Sequence, residues 1–389
     1  MEEMIKNINI ENYKSIVSLD MDLGKFNLMI GANGCGKSNI LEAIGLASAS
    51  SVNKLDKVYF ASRGIRAVEP ELMFPAFVDQ DSKLIKISAK TDNDELKFNI
   101  SYDFKRRGWD CFSDNLSDYP DKESRERFLN EVKQFLDNDF DNIMNLTKSK
   151  IIGIKASKGD ISLKYQYPDS SLSDFVIYSL EESQLRQFDN HNDKHSLGRN
   201  GEGLFAHLKY LLLEKENGPQ ILEEIKDNLS VFDWFDDMEV PQDQLSNEFR
   251  VMLKDSYLKE NLNSLDQRST NEGFLYMLFY LTLIISDETP RFFAIDNIDA
   301  SFNPKLCREA TRKIIELAKK YNKQIIATTH NQSVLDGMDL TDGNQKLMSI
   351  YRDIDGYTSL RSITPKASLD IPLSEAWIKG YIGGLPNNF

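Results

Sequence analysis

The stretch Phe26-Asn-Leu-Met-Ile30-Gly31-Ala-Asn-Gly-Cys-Gly-Lys37-Ser38-Asn-Ile-Leu-Glu-Ala-Ile44 decides the fold. Its first five residues form a short apolar run, as in a strand buried on both faces. The run feeds straight into Gly31, and Gly31 to Ser38 fits the spacing GxxxxGK(S/T). Glycines in such a loop let the backbone wrap so that its N–H groups point inward at phosphate oxygens. The helix that follows aims the positive end of its dipole at the same anion. Lys37 would reach the β- and γ-phosphates, and the Ser38 hydroxyl would ligate Mg²⁺. Ile40, Leu41, Ile44 and Leu46 recur at helical spacing and predict a helix over 39–49. The pattern therefore has the strand before it and the helix after it that phosphate binding requires. The nucleotide-contacting candidates are Gly31, Asn33, Gly34, Cys35, Gly36, Lys37, Ser38 and Asn39. Cys35 reads as a small space-filler rather than a redox sensor.

On either side of this stretch, residues 5–10 and 17–23 alternate apolar and polar, as do 84–89 and 95–104 around a turn at 91–94. These read as half-buried antiparallel strands. Residues 122–146 carry a charged helical pattern, and 175–179 (FVIYS) a buried strand. Residues 203–213 and 221–229 read as helices, and 249–253 as a strand. Residues 274–285 (FLYMLFYLTLII) are apolar all round, so the helix should be buried, and it is too short to span a bilayer. Residues 291–295 and 324–328 are core strands flanking an amphipathic helix over 305–321. The expected organisation is a composite head, residues 1–104 with 160–389, interrupted by an insert or arm at 105–159.

Asp296 ends the apolar run RFFAI, where a carboxylate at a buried strand tip can hold the water shell of Mg²⁺. Thr328-Thr329-His330 ends the next core strand, a position from which an imidazole can meet a γ-phosphate. Asn53-Lys54-Leu55-Asp56 matches the guanine-reading NKxD pattern but lies just past the loop helix, and so reads as a solvated helix end.

In this order the parts resemble the ABC-type ATPase heads of the RecF and SMC class, closest to small RecF-like AAA ATPases related to OLD-family proteins. Asn12-Tyr13-Lys14-Ser15-Ile16 is similar to a segment that follows the first strand there, and the phosphate loop and its helix match. Ser269-Thr270-Asn271-Glu272-Gly273 sits where the family carries its signature sequence. Asp296 sits at the metal-binding carboxylate, Asn303-Pro304 where the small ATPases have His-Pro, and His330 at the switch histidine. Leu197 to Gly203 (LGRNGEG) is similar to a middle segment of the small heads. The resemblance implies an α/β P-loop NTPase of ABC type, with a mixed sheet, an antiparallel β lobe and a helical insert. It implies ATP and Mg²⁺ as ligands. It also implies a homodimer sandwiching nucleotide, in which Asn271, Glu272 and Gly273 act across the dimer on the partner's γ-phosphate.

Asn297 departs from that pattern, because the family has a glutamate there to orient and deprotonate water. An amide positions water without accepting its proton, and losing a general base costs about 10²–10⁴ in rate. Slow hydrolysis is therefore expected, with Asp299 as the candidate substitute base. The alternative is a nucleotide-sensing scaffold with no meaningful turnover. A transporter ATPase subunit is a weaker reading, since the signature lacks Gly-Gly-Gln.

The formal charge over 389 residues is −14, which argues against coating nucleic acid. Local contact with nucleic acid would fall to Lys105-Arg106-Arg107-Gly108-Trp109 and to the lysines of 148–158, and a solvated hairpin edge is the competing reading. Three scattered cysteines and an N-terminus without an apolar leader core suggest a cytoplasmic protein with no membrane partner. No long heptad array exists, which excludes a chromosome-bridging arm. Four histidines form no nuclease-type cluster, so an effector, nuclease or toxin, would be a separate chain acting in DNA repair or anti-phage defence. The tail at 373–386 reads either as docked on its own head or as a partner contact.

Overall fold

A computed structural model of the chain describes residues 4–66, 68–77, 83–112, 114–115, 150–157, 160–166, 170–187, 196–240, 251–259, 264–266, 268–364 and 371–384. Its strands are β1 (Asn7–Tyr13), β2 (Ile16–Asp22), β3 (Phe26–Ile30), β4 (Ile85–Lys90), β5 (Glu95–Asp103), β6 (Gly108–Phe112), β7 (Asp114–Asn115), β8 (Lys150–Ser157), β9 (Asp160–Gln166), β10 (Ile177–Tyr178), β11 (Phe235–Glu239), β12 (Met252–Asp255), β13 (Ser264–Asp266), β14 (Phe292–Ile295), β15 (Gln324–Thr328), β16 (Gln345–Arg352) and β17 (Thr358–Ile363). The helices are α1 (Lys37–Ser51), α2 (Lys57–Ser62), α3 (Glu182–Leu185), α4 (Leu204–Glu214), α5 (Gly218–Leu229), α6 (Glu272–Ile285), α7 (Pro304–Lys320) and α8 (Leu373–Ile378).

Two compact units share these elements. The first comprises Met1–Gly24, Ala32–Ile177 and Met348–Ser362; the second comprises Lys25–Gly31, Tyr178–Leu347 and Ile363–Phe389.

In the first unit, period-two alternation puts Ile8 and Ile10 of β1 on one buried face, and Tyr13, out of that alternation, is buried after Asn12 at φ +60°. β1 pairs antiparallel with β2 and with β4, and the sheet runs β2-β1-β4-β5-β6. This is the expected antiparallel lobe. Helix α1 starts at Lys37, two residues earlier than the apolar spacing alone predicts, and packs on β1, β4 and β5. A small sheet, β7-β9-β8, completes the described part. The helix expected at 122–146 lies outside the described residues.

In the second unit, β14, β15 and β3 run parallel, with Ile295 opposite Ala327 and Ala327 opposite Leu28. Each of these strands is buried at every residue, which matches their unbroken apolar reading. The one polar side chain within β3, Asn27, is fully buried and donates to the Ile325 carbonyl at 3.0 Å. Helix α6 is buried from Gly273 to Ile285, as an all-round apolar helix must be. Among the described residues, no helix is long and apolar enough to cross a membrane.

Lys323, 3% exposed, closes the far end of α6. Its ammonium donates to Ser286 O (2.8 Å), Thr289 O (3.0 Å), Thr289 Oγ1 (2.8 Å) and Pro290 O (3.3 Å). A cation suits the negative end of a helix dipole. Burial, helped by nearby Arg291, nevertheless holds its pKa down to about 8. Between about pH 8 and the ordinary lysine value, the unfolded chain binds a proton that the fold does not, so this group makes stability rise with pH across that window. Lys323→Met should destabilise by about 1–3 kcal/mol, because the carbonyls lose their donor. The deficit against wild type should grow from pH 8 to 10. Chemical unfolding at both pH values checks this, and a deficit that shrinks with pH contradicts it.

Candidate functional site

Residues Ala32–Ser38 of the phosphate loop, in the first unit, are braced from behind. Gly34 and Gly36 sit at φ +76° and +111°, in the left-handed region. A Cβ at Gly36 would stand 2.1 Å from Thr358 Oγ1, so that position requires glycine. Thr358 Oγ1 donates to the Cys35 carbonyl at 3.0 Å and lies 2.7 Å from Ser15 Oγ. Asn39 Nδ2 donates to Ser15 Oγ at 2.6 Å. With the Thr358 proton given to Cys35, the Ser15 hydroxyl must donate to Thr358. The chain of donors runs Asn39, Ser15, Thr358, Cys35 O. In a trans peptide C=O and N–H point opposite ways, so pinning the Cys35 carbonyl turns the Gly36 N–H toward the loop's other side. No side chain caps the N-terminus of α1, and a helix start of this kind suits an anion.

Lys37 is buried, and its ammonium donates to Ala32 O at 3.2 Å and lies 3.8 Å from Cys35 Sγ. Asn33 and Gly34 are exposed, and Ser38 and Asn39 are half-buried. Cys35 is buried, as a space-filler would be. Arg352 Nε supports the loop through Gly34 O at 3.1 Å. One turn into α1, buried Glu42 takes ion pairs from Lys14 and Arg66, and Tyr13 OH at 3.4 Å. Burial lowers the Lys14 pKa against the opposing pull of Glu42, and burial raises that of Tyr13. The Asn12–Ile16 segment thus serves as the buttress of the phosphate-loop helix.

The carboxylate cluster in the second unit lies at the ends of β14 and β15. Asp296 Oδ1 accepts from Thr328 Oγ1 at 2.5 Å, and the Asp296 N–H donates to Tyr178 O at 2.8 Å. Asn297 is exposed, sits at φ +57°, and donates its N–H to Thr328 Oγ1 at 2.9 Å. Asparagine tolerates this left-handed conformation better than other side-chain-bearing residues, which gives the departure at 297 a local backbone cause. Asp299 Oδ1 accepts from Thr329 Oγ1 at 2.6 Å. Asp299 also contributes, after burial, to a Cys307 thiol pushed up to about 11. His330 follows immediately and is exposed.

The signature candidates cap α6. Asn271 Oδ1 accepts the Phe274 N–H at 3.4 Å, and Glu272 hydrogen-bonds the Ser301 hydroxyl. A Cβ at Gly273 would come within 2.9 Å of Ser301 O, so the helix start and the turn after Asp299 touch. Within this unit Asp296, Asn297, Asp299 and the signature are tied through one turn, residues 296–303. Asn303 caps α7 through the Leu306 N–H at 2.9 Å.

Other candidates separate. Asp56 of the NKLD segment caps α2, accepting from Val58 and Tyr59 N–H at 3.0 and 2.9 Å. Half-buried Trp109 packs against Phe60, Phe74 and Tyr102, and Lys105 and Arg106 are exposed cations on the hairpin turn. Lys148 and Lys158 lie outside the described residues. The tail packs on its own unit: Trp377 is buried and the Ser374 N–H donates to Asp336 Oδ1 at 3.1 Å. Sequence reading missed Thr358 and Glu42 as parts of these sites. Their partners lie far off in the chain, and no local pattern marks them.

The family described as "AAA domain, putative AbiEii toxin, Type IV TA system" matches residues 26–336. No curated protein matches. Among solved structures, the chain is similar to an SMC head bound to the C-winged helix domain of ScpA, with a TM-score of 0.55, 15% identity, and 92% of this chain and 98% of that chain covered. It is also similar to an SMC head domain with an extended coiled coil bound to the C-terminal domain of ScpA derived from Pyrococcus furiosus. There the TM-score is 0.50 at 12% identity, covering 92% and 96%. At these identities the likeness is one of fold, and the fold is that of an SMC head domain.

Proposed function

The chain belongs to that AAA-domain family, and from this premise we propose that it is an ATP- and Mg²⁺-binding head that works as a homodimer and gates a separate effector. The phosphate loop carries the reading: its glycines are fixed, its carbonyls are held from behind, and its helix start lacks a side-chain cap. Lys37 and the loop N–H groups would hold the β- and γ-phosphates. By the motifs they belong to, Ser38 and Asp296 would each offer a hard oxygen donor of the kind Mg²⁺ takes. The metal, when bound, would neutralise charge on the phosphates. Asn297 would orient water, Asp299 would serve as the substitute base, and His330 would sense the γ-phosphate. Asn271, Glu272 and Gly273 would present the α6 N-terminus to nucleotide on the partner subunit. A cytoplasmic setting, with an effector nuclease or toxin in DNA repair or anti-phage defence, follows from the resemblance of the motifs.

Sedimentation velocity tests the core of this reading. The chain should be monomeric without nucleotide and dimeric with ATP and Mg²⁺; a mass indifferent to ATP overturns the sandwich. A nucleotide-sensing scaffold is the second reading, favoured by Asn297, which cannot act as a base.

A further inference from the structure

The loop that delivers the signature is gripped on both of its polar faces. The Asp266 carboxylate takes its N–H groups, from Arg268 at 3.1 Å and Ser269 at 3.2 Å. Burial would raise the Asp266 pKa, but these bonds and the Arg268 charge hold it below the ordinary value. The carbonyls belong to Arg186. Its Nη1 donates to Arg268 O at 2.8 Å and its Nη2 to Thr270 O at 2.9 Å, one on each side of Ser269. The guanidinium is itself aimed, since Glu182 Oε1 receives Nε and Nη2, both at 2.8 Å. The same segment ties the helix once more, through Tyr276 OH donating to Leu180 O at 3.2 Å. Its first residue, Tyr178, accepts the Asp296 N–H. One short stretch, Tyr178 to Arg186, therefore holds both the backbone of the metal-site carboxylate and the loop that aims α6.

We infer that Arg186 is the positioning residue of the signature segment. By fixing the carbonyls before Asn271, it sets the height and direction at which the Glu272 and Gly273 N–H groups meet phosphate. The inference rests on the reading that this segment acts on nucleotide across a dimer. The choice of arginine has a physical reason: a planar fork reaches two carbonyls at once while keeping Nε on a carboxylate, whereas a lysine ammonium is a single point. The Arg186 guanidinium is directed at the loop carbonyls and at Glu182, so its role is positional. Its loss should misplace the α6 N-terminus, and misplacement of about 1 Å costs about 10²-fold where geometry is decisive.

The experiment compares wild type, Arg186→Ala and Arg186→Lys in three measurements: ATP affinity of the monomer, ATP-driven self-association, and melting temperature. Affinity reports the phosphate loop, and melting reports folding. We expect Arg186→Ala to retain monomer affinity within about twofold and to lose about 10–100-fold in ATP-driven association. Arg186→Lys should melt with wild type and fall between the other two in association. Wild type that associates with ATP while both variants match it overturns the role of Arg186 alone. Wild type that never associates with ATP overturns the dimer reading and this inference with it. A loss of affinity and association together in Arg186→Lys, with melting unchanged, also overturns it, because the defect would then not be confined to the signature.

Discussion

Lys37→Ala should bind ATP at least about thirtyfold more weakly than wild type, and as much as about four-thousandfold. Truncating one partner of a buried, hydrogen-bonded charge pair costs about 2–5 kcal/mol, and each 1.4 kcal/mol is tenfold. The side chain is already placed for this duty: 7% exposed, its ammonium against Ala32 O and Cys35 Sγ. Alanine is the best helix former and keeps the start of α1 intact, so Lys37→Ala should melt close to wild type. Loss of binding with melting preserved separates a ligand role from a structural one. Calorimetric titration with ATP and Mg²⁺ reads the affinity; a value within threefold of wild type removes Lys37 from the site.

The framework around this lysine was legible in the sequence to different depths. Strand β3, the parallel strands β14 and β15, and helices α6 and α7 declare themselves because full burial leaves unbroken apolar runs or a clean helical stripe. The phosphate loop is legible because its conformation demands glycine at fixed positions: Gly34 and Gly36 are both at positive φ. What sits behind the loop is not legible. Thr358 meets Ser15 and Cys35 from more than three hundred residues away, and a single threonine on a strand carries no local signal. Arg186 is hidden for the same reason. Trp109 shows another side of this: it stands beside three basic residues in the chain, while in the fold it packs against three other rings. Strand β10 shows a third limit: its five-residue apolar reading shrinks to Ile177–Tyr178, because buried apolar residues need not pair in a ladder.

Position 297 carries the second large effect. Ordinary enzymes turn over near 10 s⁻¹, and absence of a general base removes about 10²–10⁴, so wild-type hydrolysis should run at about 10⁻¹–10⁻³ s⁻¹. Asn297→Glu should raise it about 10²-fold or more, since the glutamate restores a proton acceptor beside Asp296. The gain should come with a stability loss of about 1–2 kcal/mol, because φ +57° at this position suits asparagine and strains glutamate. Rate and stability moving in opposite directions is the signature of a residue chosen by its backbone and not for its chemistry. Asp299 is the chain's own acceptor nearby, half-buried and held at Oδ1 by Thr329. If it serves as the residual base, Asp299→Ala should take wild-type turnover down at least tenfold more, while leaving Asn297→Glu fast apart from its looser turn. Steady-state phosphate release across wild type and the two variants decides the matter. Wild-type turnover at ordinary rates, unchanged by Asp299→Ala, would falsify both assignments. An Asn297→Glu rate equal to a slow wild type would shift the limiting step from proton transfer to dimer closure, where Arg186 and the α6 N-terminus govern it.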